Sequence, residues 1–302
     1  MVQMNTTPET ALRRHLELTH IPLSLNNARE LGGIVLADGR RVKRGLLLRT
    51  TRLFDATEED LRLLRERYRL ALIFDMRERE EFERAPDPEI PGAKWLHAPV
   101  IDFAYLRERL SGRPDRGEPP FDPETFDRER LLPWMIESAR EGRRQGRSDL
   151  GIGAAYAGYL AGPTGRRSLG LFFRELAACE SGAALWHCHT GKDRTGIAAG
   201  LILEVLGADW DTILRDYEAS NLCYSREIEE MERELRRRGV EEELLPSLCG
   251  LAGVHAAMLE NAWKYMHRNW GGPIAYLTDA CGVTADELEA LRRSYIEDGS
   301  KT

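Results

Sequence analysis

The sequence contains few cysteines and no long hydrophobic run. Its 302 residues include five cysteines, an odd number in which no two are spaced as CxxC: Cys179, Cys188, Cys223, Cys249 and Cys281. This pattern argues against a disulfide framework and indicates a reducing compartment. The longest apolar run, residues 197–206, contains Glu204 and is too short to cross a bilayer. We therefore expect no stable insertion into a membrane.

The sequence also lacks a secretory signal, an internal repeat, a cofactor fingerprint and an excess of positive charge. Residues 1–20 are polar and have no apolar core, which predicts a cytoplasmic protein and leaves export without such a signal open. The formal net charge of -7 and the pI near 5.7 argue against a nucleic-acid or membrane-surface binder. With 42% hydrophobic and 31% charged residues, we expect one soluble domain over residues 1–302.

The most informative segment is residues 186–196, which read Trp-His-Cys-His-Thr-Gly-Lys-Asp-Arg-Thr-Gly. Five residues separate Cys188 from Arg194, a short apolar run precedes them, and the helix-like run 197–206 follows. This pattern predicts a strand, a tight loop and a helix, with Cys188 at the end of the strand.

A loop of this kind suits a tetrahedral anion. Its backbone N–H groups point inward, and the start of the helix adds partial positive charge. Helix N-termini and neighbouring cations lower the pKa of cysteines from about 8.5 to between roughly 3.5 and 7.5. We therefore expect Cys188 to be a thiolate nucleophile and Arg194 to bind two phosphoryl oxygens with its planar fork.

The other loop residues are predicted to surround the phosphate. Thr195 is expected to donate a hydrogen bond to the thiolate sulfur, His187 to fix the loop by bonding to backbone, and Lys192 to add positive charge at the entrance. The full predicted phosphate-binding set is His189, Thr190, Gly191, Lys192, Asp193 and Thr195.

Cys188 also allows two simpler interpretations. A cysteine after an apolar strand is often a small buried core residue, but the polar residues that follow would make a poor core. His187, Cys188 and His189 suggest metal binding, yet three adjacent residues do not converge easily on one ion and no second ligand pair has zinc spacing. We predict no metal and no cofactor.

The loop resembles the signature of cysteine-dependent phosphatases, in the variant with Lys and Asp before Arg. That variant is similar to bacterial tyrosine phosphatases of the mycobacterial secreted phosphatase B type and their Listeria relatives. The resemblance extends to four further segments, residues 27–33, 47–50, 73–77 and 216–221, and to the closing segment 271–291. It implies a phosphomonoesterase whose substrates are phosphorylated proteins, with phosphoinositides as further substrates because Lys accompanies that activity in the family.

Strand and helix patterns alternate before the loop. Thr57 and Asp60 form a predicted capping box that opens a helix, residues 70–75 form an apolar strand, and residues 94–98 form another. The expected fold is α/β, with a mostly parallel central sheet flanked by helices. Asp75 and Arg77 end the strand 70–75, where they serve either a ligand or a structural ion pair.

The general acid is predicted at Asp102. The resemblance places an acidic residue a few positions past a proline after this strand, and Asp102 follows Pro99 in this way. An aspartate near a proline is also a common turn former. Asp193 in the loop itself is the second candidate.

Residues 105–150 differ in composition from the rest, with many Arg, Asp, Glu, Gly and Pro residues. So long a connection inside a compact domain is usually a functional lid or a disordered segment. The resemblance implies a helical lid, and we predict a mobile cover led by Trp134 and Ile136, with plain disorder as the alternative.

Two other functional classes stay open. One is a different thiol chemistry on oxyanions, such as an arsenate reductase, although Cys188 has no obvious resolving cysteine. The other is a phosphate-binding module without catalysis, although the nucleophile and Arg194 are both present.

Overall fold

The computed structural model describes residues 8–102, 128–146 and 153–297. A five-stranded sheet lies at the centre of these residues, in the order β1-β2-β5-β3-β4. Its strands are β1 Arg29–Glu30, β2 Leu47–Thr50, β3 Leu72–Asp75, β4 Lys94–His97 and β5 Ala184–His187. Only the β1–β2 pair is antiparallel, whereas β2–β5, β3–β5 and β3–β4 are parallel. The predicted α/β fold with a mostly parallel sheet is confirmed.

Helices surround the sheet. In chain order they are α1 Pro8–Thr19, α2 Glu58–Glu66, α3 Arg79–Arg84, α4 Arg128–Arg144, α5 Gly153–Ala161, α6 Pro163–Ala177, α7 Asp193–Leu206, α8 Trp210–Glu218, α9 Ser220–Cys223, α10 Ser225–Arg237, α11 Leu245–Cys249, α12 Ala256–Trp270, α13 Pro273–Ala275 and α14 Ala285–Tyr295. No helix in the described ranges has the length and apolar character needed to cross a membrane.

The parallel register aligns the strand ends. Strands β3 and β5 are buried along their whole length, as their nearly continuous apolar sequences indicate. Thr50 and Asp75 both pair with His187, so the carboxyl ends of β2, β3 and β5 meet at one edge. Cys188 follows directly after His187 and therefore lies at the centre of that edge, where parallel sheets bind ligands.

The helix ends agree with the local sequence signals. Thr57 accepts a hydrogen bond from the backbone of Asp60, and the Asp60 side chain bonds back to Thr57, which completes the predicted capping box of α2. The same reciprocal arrangement joins Thr284 and Glu287 at the start of α14.

The predicted lid falls largely on residues outside the described ranges, namely 105–127 and 147–150. Within the described part, α4 carries Leu132, Met135 and Ile136, which are 3%, 8% and 6% exposed and belong to the main core. In this structure Ile136 packs among these apolar core residues, and Trp134 is partly buried against the same core. The lid itself stays a prediction.

Candidate active site

The signature loop has the predicted strand-loop-helix geometry. It connects β5 to α7, and Cys188 at its start is 1% exposed. Gly191 has φ of +67°, and a Cβ there would lie 2.2 Å from Thr50 O, so only glycine fits. The loop thus curves tightly against the end of β2 before α7 begins at Asp193.

Arg194 lies in the first turn of α7 and is held by a carboxylate that the sequence analysis missed. Its guanidinium donates to both carboxylate oxygens of Glu81 in α3, at 2.8 Å from Nη2 to Oε1, and Nη1 also donates to Met76 O at 3.3 Å. Burial alone would raise the pKa of Glu81, but the charge and hydrogen bonds of Arg194 lower it to about 2. Glu81 gave no signal because it lies within a run of charged residues.

The remaining donors of Arg194 are available to a ligand. The bonds to Glu81 and Met76 use three of the five N–H groups. The Nε–H and the second N–H on Nη2 have no partner in the described part of the chain, and they form the lateral edge that suits two phosphoryl oxygens. Burial lowers the pKa of Arg194, but Glu81 and a Cys188 thiolate raise it well above the usual range.

His187 fixes the end of β5 as predicted. Its Nδ1 lies 3.1 Å from Cys188 O, and its Nε2 lies 2.8 Å from Asp87 Oδ2. Burial would raise the pKa of Asp87, but His187 and Arg77 lower it.

Three side chains of the types that bind metals approach one another below the loop. Atoms of Asp75, Asp87 and His187 lie within 4.8 Å of one another. The guanidinium of Arg77 already contacts both carboxylates, at 2.7 Å to Asp75 Oδ2 and 2.9 Å to Asp87 Oδ1. Arg77 is therefore the counter-ion of these carboxylates, and the structural ion pair of Asp75 and Arg77 is the arrangement found.

The backbone of the loop is anchored from below. Gly191 O accepts hydrogen bonds from Asn27 Nδ2 and from Arg49 Nη2, both at 2.8 Å. Arg49 and Arg29 in turn contact Asp216 in α8, at 2.6 Å and 3.7 Å. The segments that carry the family resemblance, residues 27–33, 47–50 and 216–221, thus converge behind the loop.

Lys192 does not lie at the entrance, which corrects the expectation from sequence. It is 6% exposed, and its Nζ donates to Leu251 O at 2.6 Å and to Gly253 O at 2.7 Å. Asp193 Oδ2 lies 3.6 Å from the same ammonium. The long flexible side chain bends inward because the backbone turn between α11 and α12 offers it two carbonyl acceptors.

Replacing Lys192 by methionine is expected to destabilise the protein. Two buried carbonyls would lose a charged donor, and hydrogen bonds to charged groups contribute roughly 1.5–3 kcal/mol each. Urea unfolding measures the change. Lys264→Met is the matched control, since Lys264 is 61% exposed and, among the described residues, bonds only to Glu260 in the same helix. Equal midpoints for the two variants would contradict the anchoring role of Lys192.

Asp193 and Thr195 have different surroundings. Tyr156 donates to Asp193 Oδ1, and Tyr217 lies 2.7 Å from the Tyr156 hydroxyl, so Asp193 is an acceptor at the end of a tyrosine chain. Thr195 Oγ1 is buried and has no hydrogen-bond partner among the described residues. The predicted bond from Thr195 to the sulfur is therefore not formed in this structure.

Asp102 contacts the first turn of α6. Its Oδ2 accepts a hydrogen bond from Thr164 Oγ1 at 3.1 Å, near the start of α6. The preceding residue, Ile101, donates its backbone N–H to Glu78 Oε1 at 2.9 Å. Burial raises the pKa of Glu78 to about 7, against the effects of the Ile101 N–H and the Arg194 charge. Glu78 thus connects the Asp102 segment to the surroundings of Arg194.

An open depression of about 280 Å³ lies beside the loop. His189 and Thr190 form one wall, and His189 is partly exposed with its Nε2 3.5 Å from Arg52 Nη1. The other lining residues are Ser24, Leu25, Asn26, Thr51, Arg52, Asp55 and Tyr224. The predicted loop residues therefore divide into exposed ones, such as His189, and buried ones, such as Lys192.

Comparison with known proteins identifies the family. The profile described as the tyrosine phosphatase family matches residues 22–297. The chain belongs to this family. A protein of Cupriavidus necator whose name assigns it to the tyrosine-protein phosphatases is 28% identical over 267 residues, which is 88% of this chain and 85% of that protein.

Two other relatives of this tyrosine phosphatase family member match over shorter segments. A tyrosine-protein phosphatase of Nostoc commune is 32% identical over 126 residues, or 40% of this chain and 41% of the relative. The triple specificity protein phosphatase PtpB of Mycobacterium tuberculosis is 32% identical over 117 residues, or 36% of this chain and 42% of PtpB. The resemblance to bacterial tyrosine phosphatases of the PtpB type is thus confirmed.

Proposed function

We propose that this family member is a protein tyrosine phosphatase that hydrolyses phosphomonoesters through a phosphocysteine intermediate. The observation that carries the proposal is the signature loop itself. It brings the buried sulfur of Cys188 and the free edge of Arg194 to the carboxyl end of a parallel sheet, at the start of α7. This end of the sheet is where the helix dipole and backbone N–H groups favour a phosphate.

The reaction proceeds in two displacements. The Cys188 thiolate attacks phosphorus, so that the S–P bond forms as the P–O bond to the leaving group breaks. Arg194 and the loop amides of residues 189–193 stabilise the charge on the three remaining oxygens. Water then attacks the phosphocysteine, which releases phosphate and returns the thiolate. Thr195, whose buried hydroxyl has no hydrogen-bond partner among the described residues, is the proposed donor to the sulfur as it leaves.

Asp102 is the proposed acid that protonates the leaving oxygen and later accepts a proton from water. Its link through Ile101 and Glu78 to the neighbourhood of Arg194 supports this role. Asp193 is the second candidate. The hydrogen bond that Asp193 accepts from Tyr156 stabilises a carboxylate, which suits a base better than an acid.

Phosphotyrosine is the principal substrate that we propose, with phosphoserine, phosphothreonine and phosphoinositides as further ones. The name of PtpB describes a protein phosphatase of triple specificity. The depression lined by Arg52 and His189 provides space beside the loop for the part of the substrate that flanks the phosphate. We also propose that no metal takes part, because Arg194 and the loop amides supply the positive charge.

The proposal is tested with aryl phosphates in the presence of EDTA. Wild type is expected to hydrolyse p-nitrophenyl phosphate, and Cys188→Ser to lose turnover while it still binds phosphate. Asp102→Asn and Asp193→Asn are compared on esters of increasingly basic leaving groups, since loss of the true acid slows the poor leaving groups most. Turnover by Cys188→Ser, a requirement for metal, or arsenate reduction without ester hydrolysis would each refute the proposal.

A further inference from the structure

Two arginines that are 0% exposed lie behind the signature loop and share one carboxylate. Arg49 Nη1 donates to Asp216 Oδ2 at 2.6 Å, and Arg29 Nε lies 3.7 Å from Asp216 Oδ1. Burial would raise the pKa of Asp216, but Arg29 and Arg49 hold it far below its usual range, so it is an anion at neutral pH. We call Arg29 and Arg49 the buried arginine pair. Together with Asp216 they form a cluster of two cations and one anion.

No second carboxylate compensates the buried arginine pair. Within residues 8–102, 128–146 and 153–297, Asp216 is the only carboxylate within ion-pair distance of either guanidinium. The Nε–H groups of Arg29 and Arg49 are buried and have no hydrogen-bond partner there. His15 also faces Asp216, at 3.2 Å, and brings no negative charge. Since an uncompensated buried charge is costly, the cluster requires another anion nearby.

The loop around Cys188 lies directly above this excess charge. Arg49 Nη2 donates to Gly191 O at 2.8 Å, and a Cβ on Gly196 would lie 3.7 Å from the same nitrogen. The guanidinium thus contacts the middle of the loop and the first turn of α7. Burial and Arg29 lower the pKa of Arg49 to about 10, while Asp216 and a Cys188 thiolate raise it, so Arg49 is protonated at neutral pH.

Among the described residues, each of the other cations around Cys188 faces a carboxylate. Arg194 pairs with Glu81, Lys192 faces Asp193, and Arg77 contacts Asp75 and Asp87. Tyr159 and Tyr224 also face the cysteine, and burial raises the pKa of both, so they are neutral at pH 7. The excess charge of this neighbourhood therefore comes from the buried arginine pair.

We propose that Arg49, together with Arg29, is a positioning residue that holds Cys188 as a thiolate, which serves as the second anion of the buried cluster. The inference rests on the proposed role of Cys188 as the nucleophile. Arg49 acts through its field and through the Gly191 carbonyl, without touching the substrate. It adds a fixed charge from below to the amides and Arg194 at the rim.

The test measures alkylation of Cys188 by iodoacetamide in the full chain as a function of pH, with mass spectrometry of the peptide that contains it. Arg49→Met is expected to raise the pH of half-maximal alkylation by about one unit or more, as loss of a close opposite charge does. Arg49→Lys keeps the charge, so its alkylation midpoint is expected to lie close to that of wild type. Thiolate ultraviolet absorbance, compared with Cys188→Ser, provides a second measurement.

Asn27→Gly is the matched control. Asn27 donates to the same Gly191 carbonyl at the same 2.8 Å, and it also accepts a hydrogen bond from Arg29 Nη1 at 2.6 Å. It carries no charge, so its loss removes these bonds while both cations remain, and its φ of +57° suits glycine. It is expected to leave the alkylation midpoint unchanged. A shift as large as that of Arg49→Met would overturn the inference, because the hydrogen bond and not the charge would then be responsible.

Arg29→Met keeps both bonds to Gly191 and removes the other cation, so it serves if Arg49→Met does not fold. A rise in its alkylation midpoint supports the inference, and a wild-type midpoint in a folded variant, checked by circular dichroism, overturns it. The outcome separates two failures. If Cys188 of the wild type is alkylated like an ordinary cysteine, both the inference and the proposed nucleophile are refuted. If the variants shift the alkylation midpoint but the wild type hydrolyses no ester, the inference stands and the proposed function is refuted.

Discussion

Replacing Arg194 by lysine is expected to reduce kcat/KM for p-nitrophenyl phosphate by about a thousandfold. Arginines that stabilise phosphoryl transfer contribute roughly a thousandfold or more to the rate. Lysine keeps the positive charge, so Glu81 retains a counter-ion and the fold is expected to survive. It cannot present the two parallel N–H groups of the Nε and Nη2 edge, which contact the spreading oxygens of the transition state. Most of the loss is therefore expected in kcat.

Arg79→Lys is the matched control for this variant. Arg79 lies on α3, the same helix as Glu81, but its side chain is 78% exposed and forms an ion pair only with Glu83 in the part of the chain that the structure describes. The activity of Arg79→Lys is expected to equal that of wild type. An Arg194→Lys enzyme within tenfold of wild type would show that a point charge is sufficient, and the bidentate role of Arg194 would be lost.

The central part of the site could be predicted from sequence because its signals are local. A strand, a loop and a helix follow one another within residues 184–206, and the alternation of apolar and polar residues indicates each of them. The capping boxes at Thr57 and Thr284 are likewise short-range patterns. The parallel order of the sheet follows from the alternation of strands and helices, which allows few topologies.

The contacts that hold the loop could not be predicted because they join distant parts of the chain. Glu81 and Arg194 are separated by 113 positions, and Arg49 and Asp216 by 167. Lys192 reads as an exposed cation in sequence, and only the turn at residues 251–253 shows why it is buried. Charged residues give no periodic signal, so their pairing becomes visible only when the fold brings them together.

Replacing Asp216 by asparagine is expected to lower the free energy of unfolding by about 3–5 kcal/mol, the usual cost of removing one partner from a buried ion pair. Asp216 is 1% exposed, and it faces Arg29, Arg49 and His15. Asparagine has a similar shape and keeps one acceptor oxygen, but it leaves both buried guanidinium groups without a carboxylate. Urea unfolding at neutral pH measures the change.

Asp38→Asn provides the control for the loss of Asp216. Asp38 also forms an ion pair, with Arg40 at 2.7 Å, but both side chains are 50% exposed and water replaces the contact. The unfolding midpoint of Asp38→Asn is expected to stay near that of wild type.

Because folding depresses the pKa of Asp216, the stabilisation that its carboxylate provides is present above the unfolded pKa of about 3.9 and is lost as pH falls below it. The difference in the free energy of unfolding between wild type and Asp216→Asn should therefore become smaller in acid. A difference that stays constant with pH would show that Asp216 stabilises the protein through its shape and not through its charge.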